Sequence, residues 1–204
     1  MNTICNDPYI YTIDNFLTPK ECKFIIKVSK DNLRLAGVSK MDGEKNLETG
    51  KYKGRTNSSY WMAHNAYPET LKIAKKIAEK IGCNYKYFEN FQVIHYNENE
   101  EYKYHYDAYN KDDKEKYEKF CGERGNRIRT VLVYLNDVEE GGGTGFDSLN
   151  EYDGEIIVEP KMGKMVVFNN VNDDGSLNRK SRHAGLPVIK GEKWAFNLWL
   201  RERE

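Results

Sequence analysis

The chain lacks a net charge, a cysteine motif and a long apolar run. Lys+Arg and Asp+Glu balance at 32 each over 204 residues. That balance argues against a dominant nucleic-acid or membrane field and leaves room only for a local patch. Cys5, Cys22, Cys83 and Cys121 stand far apart and form no CxxC pair. They read as scattered free thiols rather than a disulfide framework or a zinc site. No apolar stretch approaches ~18 residues, and the start, MNTICNDPYI, has no basic segment leading into an apolar one. The expectation is a soluble, intracellular protein with no membrane segment and no nucleic-acid partner.

What is present suits one folded unit. Hydrophobic residues make up 39% of the chain, enough for one substantial core, and we expect a single domain over residues 1–204. The 15 tyrosines, with an apolar ring and a polar tip, suit half-buried strands and wet clefts.

Two helices are expected early. Thr18 is a good N-cap, Pro19 fits the first helical position and Glu21 completes a capping box. Phe24, Ile25 and Val28 carry that helix to about Lys30. Pro68 opens a second one, with Leu71, Ile73, Ala74, Ile77, Ala78 and Ile81 on one face and Gly82 as its stop. The stretch from Leu33 to Gly54 reads as irregular or as frayed strands.

Strands dominate elsewhere. Tyr9 to Phe16, Phe91 to Tyr96, Thr130 to Leu135, Glu155 to Val158, Met165 to Phe168 and Trp194 to Leu200 are apolar or alternating runs separated by Gly/Asn/Asp clusters. The near-continuous run Thr130 to Leu135 predicts a strand covered on both faces. Lys111 to Asn126 is charged and poor in apolar residues, and reads as a solvated excursion between strands. The order predicts an α+β chain, with helical support at about 15–85 and a sandwich or barrel core at about 88–201.

The chemistry begins at Tyr102-Lys103-Tyr104-His105-Tyr106-Asp107. On a strand, residues two apart face one side, so an imidazole nitrogen and a carboxylate oxygen would converge. A second histidine would complete three ligands on one face of an octahedron, the pattern of non-haem iron(II) oxygenases. His183, in Ser181-Arg182-His183-Ala184-Gly185, is the best placed of the 4 histidines. Lys193 follows ten residues later and opens an apolar strand. A lysine there needs an anionic partner to offset desolvation, and a bound dicarboxylate would supply one.

In order along the chain stand Tyr96, Tyr102, His105-x-Asp107, Arg127, the run Thr130-Val131-Leu132-Val133-Tyr134-Leu135-Asn136-Asp137-Val138-Glu139-Glu140-Gly141-Gly142, Thr144, His183-Ala184-Gly185, Gly191-Glu192-Lys193-Trp194 and Trp199. Arg55-Thr56 adds an early match. This set resembles the prolyl 4-hydroxylase branch of the iron(II)/2-oxoglutarate-dependent dioxygenases, over roughly Asn15 to Arg201. The resemblance implies a double-stranded β-helix (jelly-roll) core with helices outside it, and oxidoreductase activity of the procollagen-proline 4-dioxygenase type. It implies His105, Asp107 and His183 as ligands of Fe(2+), and Lys193 on the distal carboxylate of 2-oxoglutarate, with Tyr96 and Thr144 as hydrogen-bond partners. It implies Tyr102, Arg127 and Trp199 on the substrate side of the iron, O2 as second cosubstrate, ascorbate as supporting reductant and a proline-containing peptide or protein as substrate.

The family's Glu-Glu-Gly-Gly-Glu-Thr reads here Glu139-Glu140-Gly141-Gly142-Gly143-Thr144-Gly145, which predicts a mobile loop over the site. The stretch Asn169 to Lys180 is likewise expected to be flexible. Other readings stay open at this point. The same oxygenase chemistry could act on lysyl or other side chains, a free amino acid or a nucleobase. A non-catalytic jelly-roll module or a metal-binding cupin are the further alternatives.

Overall fold

The computed structural model describes residues 1–37, 54–149 and 154–204. Its strands are β1 (Asn2–Asn6), β2 (Tyr9–Ile13), β3 (Arg34–Leu35), β4 (Ser58–Met62), β5 (Phe91–Tyr96), β6 (Tyr102–His105) and β7 (Arg127–Tyr134). They continue as β8 (Glu140–Gly141), β9 (Thr144–Phe146), β10 (Ile156–Val158), β11 (Met165–Asn169), β12 (His183–Gly185), β13 (Val188–Lys190) and β14 (Lys193–Arg201). The helices are α1 (Pro19–Ser29), α2 (Pro68–Ile81) and α3 (Lys114–Cys121).

An 8-stranded sheet runs β1-β2-β11-β7-β14-β5-β4-β3, facing a 4-stranded sheet in the order β10-β9-β12-β6; β13 and β8 form a separate pair. This sheet-rich arrangement with external helices is the expected α+β double-stranded β-helix. Its logic is strand alternation. On β7, Val131 and Val133 pack with Ile25, Ile73, Ala74 and Ile77 of α1 and α2, while Leu132 and Tyr134 enter the inter-sheet core with Ile10, Phe146, Val166 and Phe168. Both faces of β7 are therefore covered, which is why its sequence is almost unbroken by polar residues. Among the described residues, no helix is long and apolar enough to cross a membrane.

The two sequence-expected helices form as read. Thr18 Oγ1 accepts from the Glu21 amide at 3.3 Å, and Glu21 Oε2 accepts from the Thr18 amide at 2.8 Å, completing the capping box. Gly82, at φ +72°, ends α2 in the left-handed conformation that suits glycine.

Three expectations need correction. Lys111 to Asn126 is not a bare excursion, because α3 forms within it. Asp113 caps α3 by accepting from the Lys116 amide at 3.2 Å, and its far end is held where Arg201 Nη1 donates to Phe120 O at 3.1 Å and Gly125 O at 2.6 Å. The glycine-rich segment is not a free loop. Gly141 pairs with Val188, and Gly145 pairs with both Ile157 and Ala184. Its glycines relieve crowding: at Gly141 (φ +75°) a Cβ would meet Pro187 O at 2.5 Å. Asn169 to Lys180 is pinned by a Val171↔Leu177 bridge and by Asn172 N donating to Ser176 O at 2.9 Å. The N-terminal β1 went unanticipated. Of the stretch Leu33 to Gly54, Arg34–Leu35 is strand β3, and residues 38–53 lie outside those described.

Candidate active site

The same alternation builds the site. Interior-facing positions of β5, β7 and β14 include Tyr96, Thr130, Tyr134, Lys193, Asn197 and Trp199. The 4-stranded sheet brings His105, Thr144 and His183 against them. His183 sits directly opposite His105 in the β12–β6 pairing and opposite Phe146 in the β12–β9 pairing.

His105, Asp107 and His183 come together with one donor atom from each inside 4.8 Å of the others. Strand geometry alone does not place them, since β6 ends at His105 and Asp107 lies beyond it. Asp107 is instead fixed by Thr130 Oγ1, which donates to its Oδ2 at 2.6 Å from β7. Both imidazoles are oriented by their own backbone. His105 Nδ1 lies 2.8 Å from Lys103 O, and His183 Nδ1 lies 2.9 Å from Ser181 O. A carbonyl only accepts, so each Nδ1 carries the proton and each Nε2 keeps a free lone pair. The Nε2 atoms face the carboxylate, His105 at 3.6 Å from Oδ1 and His183 at 3.5 Å from Oδ2.

Electrostatics agree with a cation site. Burial pushes the His183 imidazole down to about 4, keeping it neutral. Burial opposes the charge of Asp107, but the two histidines and then Arg127 hold its carboxyl well below the usual range. A buried carboxylate flanked by two imidazole nitrogens fits a divalent metal with open positions.

Two cavities meet at this triad, with Tyr102, His105 and Asn197 lining both. The narrower contains Tyr96, Thr144, His183 and Lys193. Lys193 is 1% exposed and has no carboxylate within ion-pair distance among the described residues. Its Nζ sits 4.9 Å from the Tyr96 ring centroid and 5.5 Å from that of Tyr134. Burial alone pushes the Lys193 ammonium down to about 7. Thr144 Oγ1 is engaged with Tyr134 OH at 2.6 Å. Such an uncompensated buried lysine is costly, and an anion would relieve the cost.

The wider cavity, about 300 Å³, is lined by Arg55, Trp61, Tyr102, Tyr109, Arg127 and Trp199, among others. Arg127 lies 3.8 Å above the Trp199 ring, and Arg55 lies 4.3 Å above Tyr102. Tyr102 stacks on His105 with ring centroids 3.6 Å apart. Glu89, which carries no sequence signal, grips Arg127 through Nε at 2.6 Å and Nη2 at 2.9 Å. Every site residue expected from the sequence thus lines one of the two cavities or forms the triad between them.

Comparisons with known proteins converge on one family. The family model described as the 2OG-Fe(II) oxygenase superfamily matches residues 91–201. The chain is 34% identical to "Probable prolyl 4-hydroxylase 10" of Arabidopsis thaliana, over 97% of this chain and 70% of that one. It is 32% identical to human "Prolyl 4-hydroxylase subunit alpha-1", over 96% of this chain and 35% of the human subunit. Among solved structures, the viral collagen prolyl hydroxylase of Paramecium bursaria Chlorella virus-1, determined as its 2OG complex, superposes with a TM-score of 0.73 at 28% identity, covering 97% of this chain and 98% of the viral one. With matches this extensive around a triad of this geometry, the chain belongs to the 2OG-Fe(II) oxygenase superfamily, within its prolyl 4-hydroxylase branch.

Proposed function

We propose that this protein hydroxylates peptidyl proline at C4, using Fe(2+), 2-oxoglutarate and O2 and releasing succinate and CO2. The observation that carries the proposal is the shared His105 edge between two dissimilar cavities, one ending in an uncompensated buried lysine and the other lined by aromatic rings. In this reading His105, Asp107 and His183 hold the iron. When bound, iron with its cosubstrates supplies the oxidising power to break an unactivated C–H bond.

The remaining roles belong to the chain. Lys193 pairs with the distal carboxylate of 2-oxoglutarate, which fixes how far that molecule reaches toward the metal. Burial raises the Tyr96 and Tyr134 phenols above their ordinary range, so both stay neutral. Tyr96 then offers its hydroxyl beside the carboxylate, while the Thr144 hydroxyl donates to Tyr134, whose own proton goes to Val158 O. Across the triad, Trp199, Tyr102 and Arg127 form the wall for an extended proline-rich segment, whose rings stack on aromatic faces. Ascorbate supports turnover by keeping iron reduced. The viral neighbour's bound 2OG supports the small pocket's assignment by analogy.

Residues 1–204 act as one catalytic domain in this account, supported by α1 and α2 packing on the back of the sheet whose front carries the site. The four cysteines are free, which suits a reducing, intracellular compartment.

The test is consumption of 2-oxoglutarate by the iron-loaded protein with and without proline-rich peptides. The proposal expects peptide-dependent succinate release. Succinate release stimulated by lysyl peptides or free amino acids, and not by proline peptides, would overturn the substrate assignment.

A further inference from the structure

Asp107 is held by more than the two imidazoles. Its Oδ2 accepts from Thr130 Oγ1 at 2.6 Å, and Thr130 Oγ1 accepts from Asn170 Nδ2 at 2.8 Å. Proton counting sets the direction of this chain. An ionised carboxylate only accepts, so the single hydroxyl proton of Thr130 goes to Asp107. The Thr130 oxygen then keeps only lone pairs and needs a donor, which is the amide N–H of Asn170. An Asn170 amide turned over would present Oδ1 to Thr130 and compete for the same proton.

Asn170 is fully buried, and its Oδ1 has no hydrogen-bond partner among the described residues. An orphaned buried acceptor is a cost that an apolar residue of similar size would avoid. Its backbone is fixed from both sides, with Asn170 N donating to Ile128 O at 2.9 Å and Asn178 N donating to Asn170 O at 3.0 Å. The amide is therefore held in place by the main chain at the end of β11, with one end working and the other idle.

We propose that Asn170, acting through Thr130, is a positioning residue that fixes the rotation of the Asp107 carboxylate at the metal site. The inference rests on the metal assignment made above. The Thr130 hydroxyl anchors Oδ2, which lies 3.5 Å from His183 Nε2, while Oδ1 lies 3.6 Å from His105 Nε2, so the hydrogen bond sets how the carboxylate is turned toward the imidazoles. One carboxylate oxygen and two imidazole nitrogens leave three adjacent positions open. A carboxylate free to rotate and chelate through both oxygens would close one of them. Partners of this kind hold ligand orientation, and their loss weakens metal binding.

Co(II) titration followed by its visible absorbance tests this without turnover, with thermal melting of the metal-free protein as the fold control. Asn170→Ala and Thr130→Val are each expected to weaken Co(II) binding by about 10–100-fold. Thr130→Ser keeps the hydroxyl and is expected to bind as wild type does. Because the two residues act in series, the double variant Thr130→Val/Asn170→Ala should bind no more weakly than Thr130→Val alone. Unchanged affinity in folded Asn170→Ala, or losses that simply add in the double variant, would overturn the inference. If Asn170→Ala does not fold, Thr130→Val binding as tightly as Thr130→Ser overturns it equally. A wild-type chain that takes up no Co(II) would bring down the metal assignment and this inference together.

Discussion

Replacing His183 with alanine is expected to lower hydroxylation by on the order of 10³-fold or more, because the metal centre carries the bond-breaking chemistry. His183 is 7% exposed and donates from Nδ1 to the carbonyl of Ser181, so its Nε2 has no role in the fold beyond the triad. His105 and Asp107 would remain, but a two-ligand site loses both affinity and the facial arrangement. The substitution also opens a small cavity beside Phe168, whose ring lies 4.7 Å from the imidazole. Some loss of stability is therefore expected in the metal-free protein, and circular dichroism of that form separates misfolding from lost metal. Full activity in a folded His183→Ala protein would remove this residue from the site. The effect should also be non-additive with loss of His105, since either change alone dismantles the same centre.

The second large effect falls on Lys193 and has two opposed parts. Lys193→Met is expected to raise the KM for 2-oxoglutarate by at least about 100-fold, the scale of losing one member of a buried charge pair. Metal binding should be unaffected, because Lys193 lines the pocket but offers no ligand to the triad. The ligand-free variant, in contrast, should melt no lower than wild type. The wild-type ammonium is buried with no carboxylate beside it, and methionine fills similar space without a charge to desolvate.

The pH dependence follows in sign. Burial pushes the Lys193 pKa down to about 7 in the folded chain, against 10.5 for the ordinary side chain. Between those values the unfolded chain binds the extra proton, so ligand-free stability rises with pH across that window. The stability advantage of Lys193→Met should accordingly be largest at or below pH 7 and fade toward pH 10.5. Cosubstrate affinity runs the other way. Binding a dicarboxylate requires the charged lysine, so wild-type affinity should weaken by up to about tenfold per pH unit above 7, and Lys193→Met should lose that slope. Calorimetric titration of the metal-loaded protein at several pH values measures both. A Lys193→Met protein with wild-type 2-oxoglutarate affinity would contradict the assignment.

The features legible in the sequence are those in which local pattern and burial agree. The β7 run is apolar on both faces because helices cover one side and the second sheet the other. Lys193 stood out because a charge at the start of a buried strand is anomalous, and the structure leaves it without a protein counter-charge among the described residues. The spacing that singles out His105 and Asp107 is only half the reason they meet. Their two-residue spacing suggested a strand, yet β6 ends at His105, and Thr130 from another strand brings the carboxylate into place.

What was illegible depends on contacts distant in sequence. α3 has one buried residue, Cys121, so it shows no apolar stripe and is held largely by Arg201 from the far end of the chain. Glu89 looks like any surface glutamate, but the structure buries it against Arg127 and Arg201, with Arg201 Nε 2.6 Å from Glu89 Oε1. Asn170 lies among turn-forming residues, and only the fold shows its amide aimed at Thr130. The glycines at 141–145 read as freedom because glycine permits many conformations. Here they instead let three neighbouring segments approach closely.

The central claim is that this site oxidises a proline side chain at the expense of 2-oxoglutarate. The most direct measurement is mass spectrometry of a proline-rich peptide after incubation with the iron-loaded protein, 2-oxoglutarate and ¹⁸O₂, followed by analysis of the modified residue. The account predicts a 4-hydroxyproline carrying one labelled oxygen, with a second labelled atom in succinate and no product from His183→Ala. An unmodified peptide beside active 2-oxoglutarate turnover, or a hydroxyl group on another residue type, would contradict it.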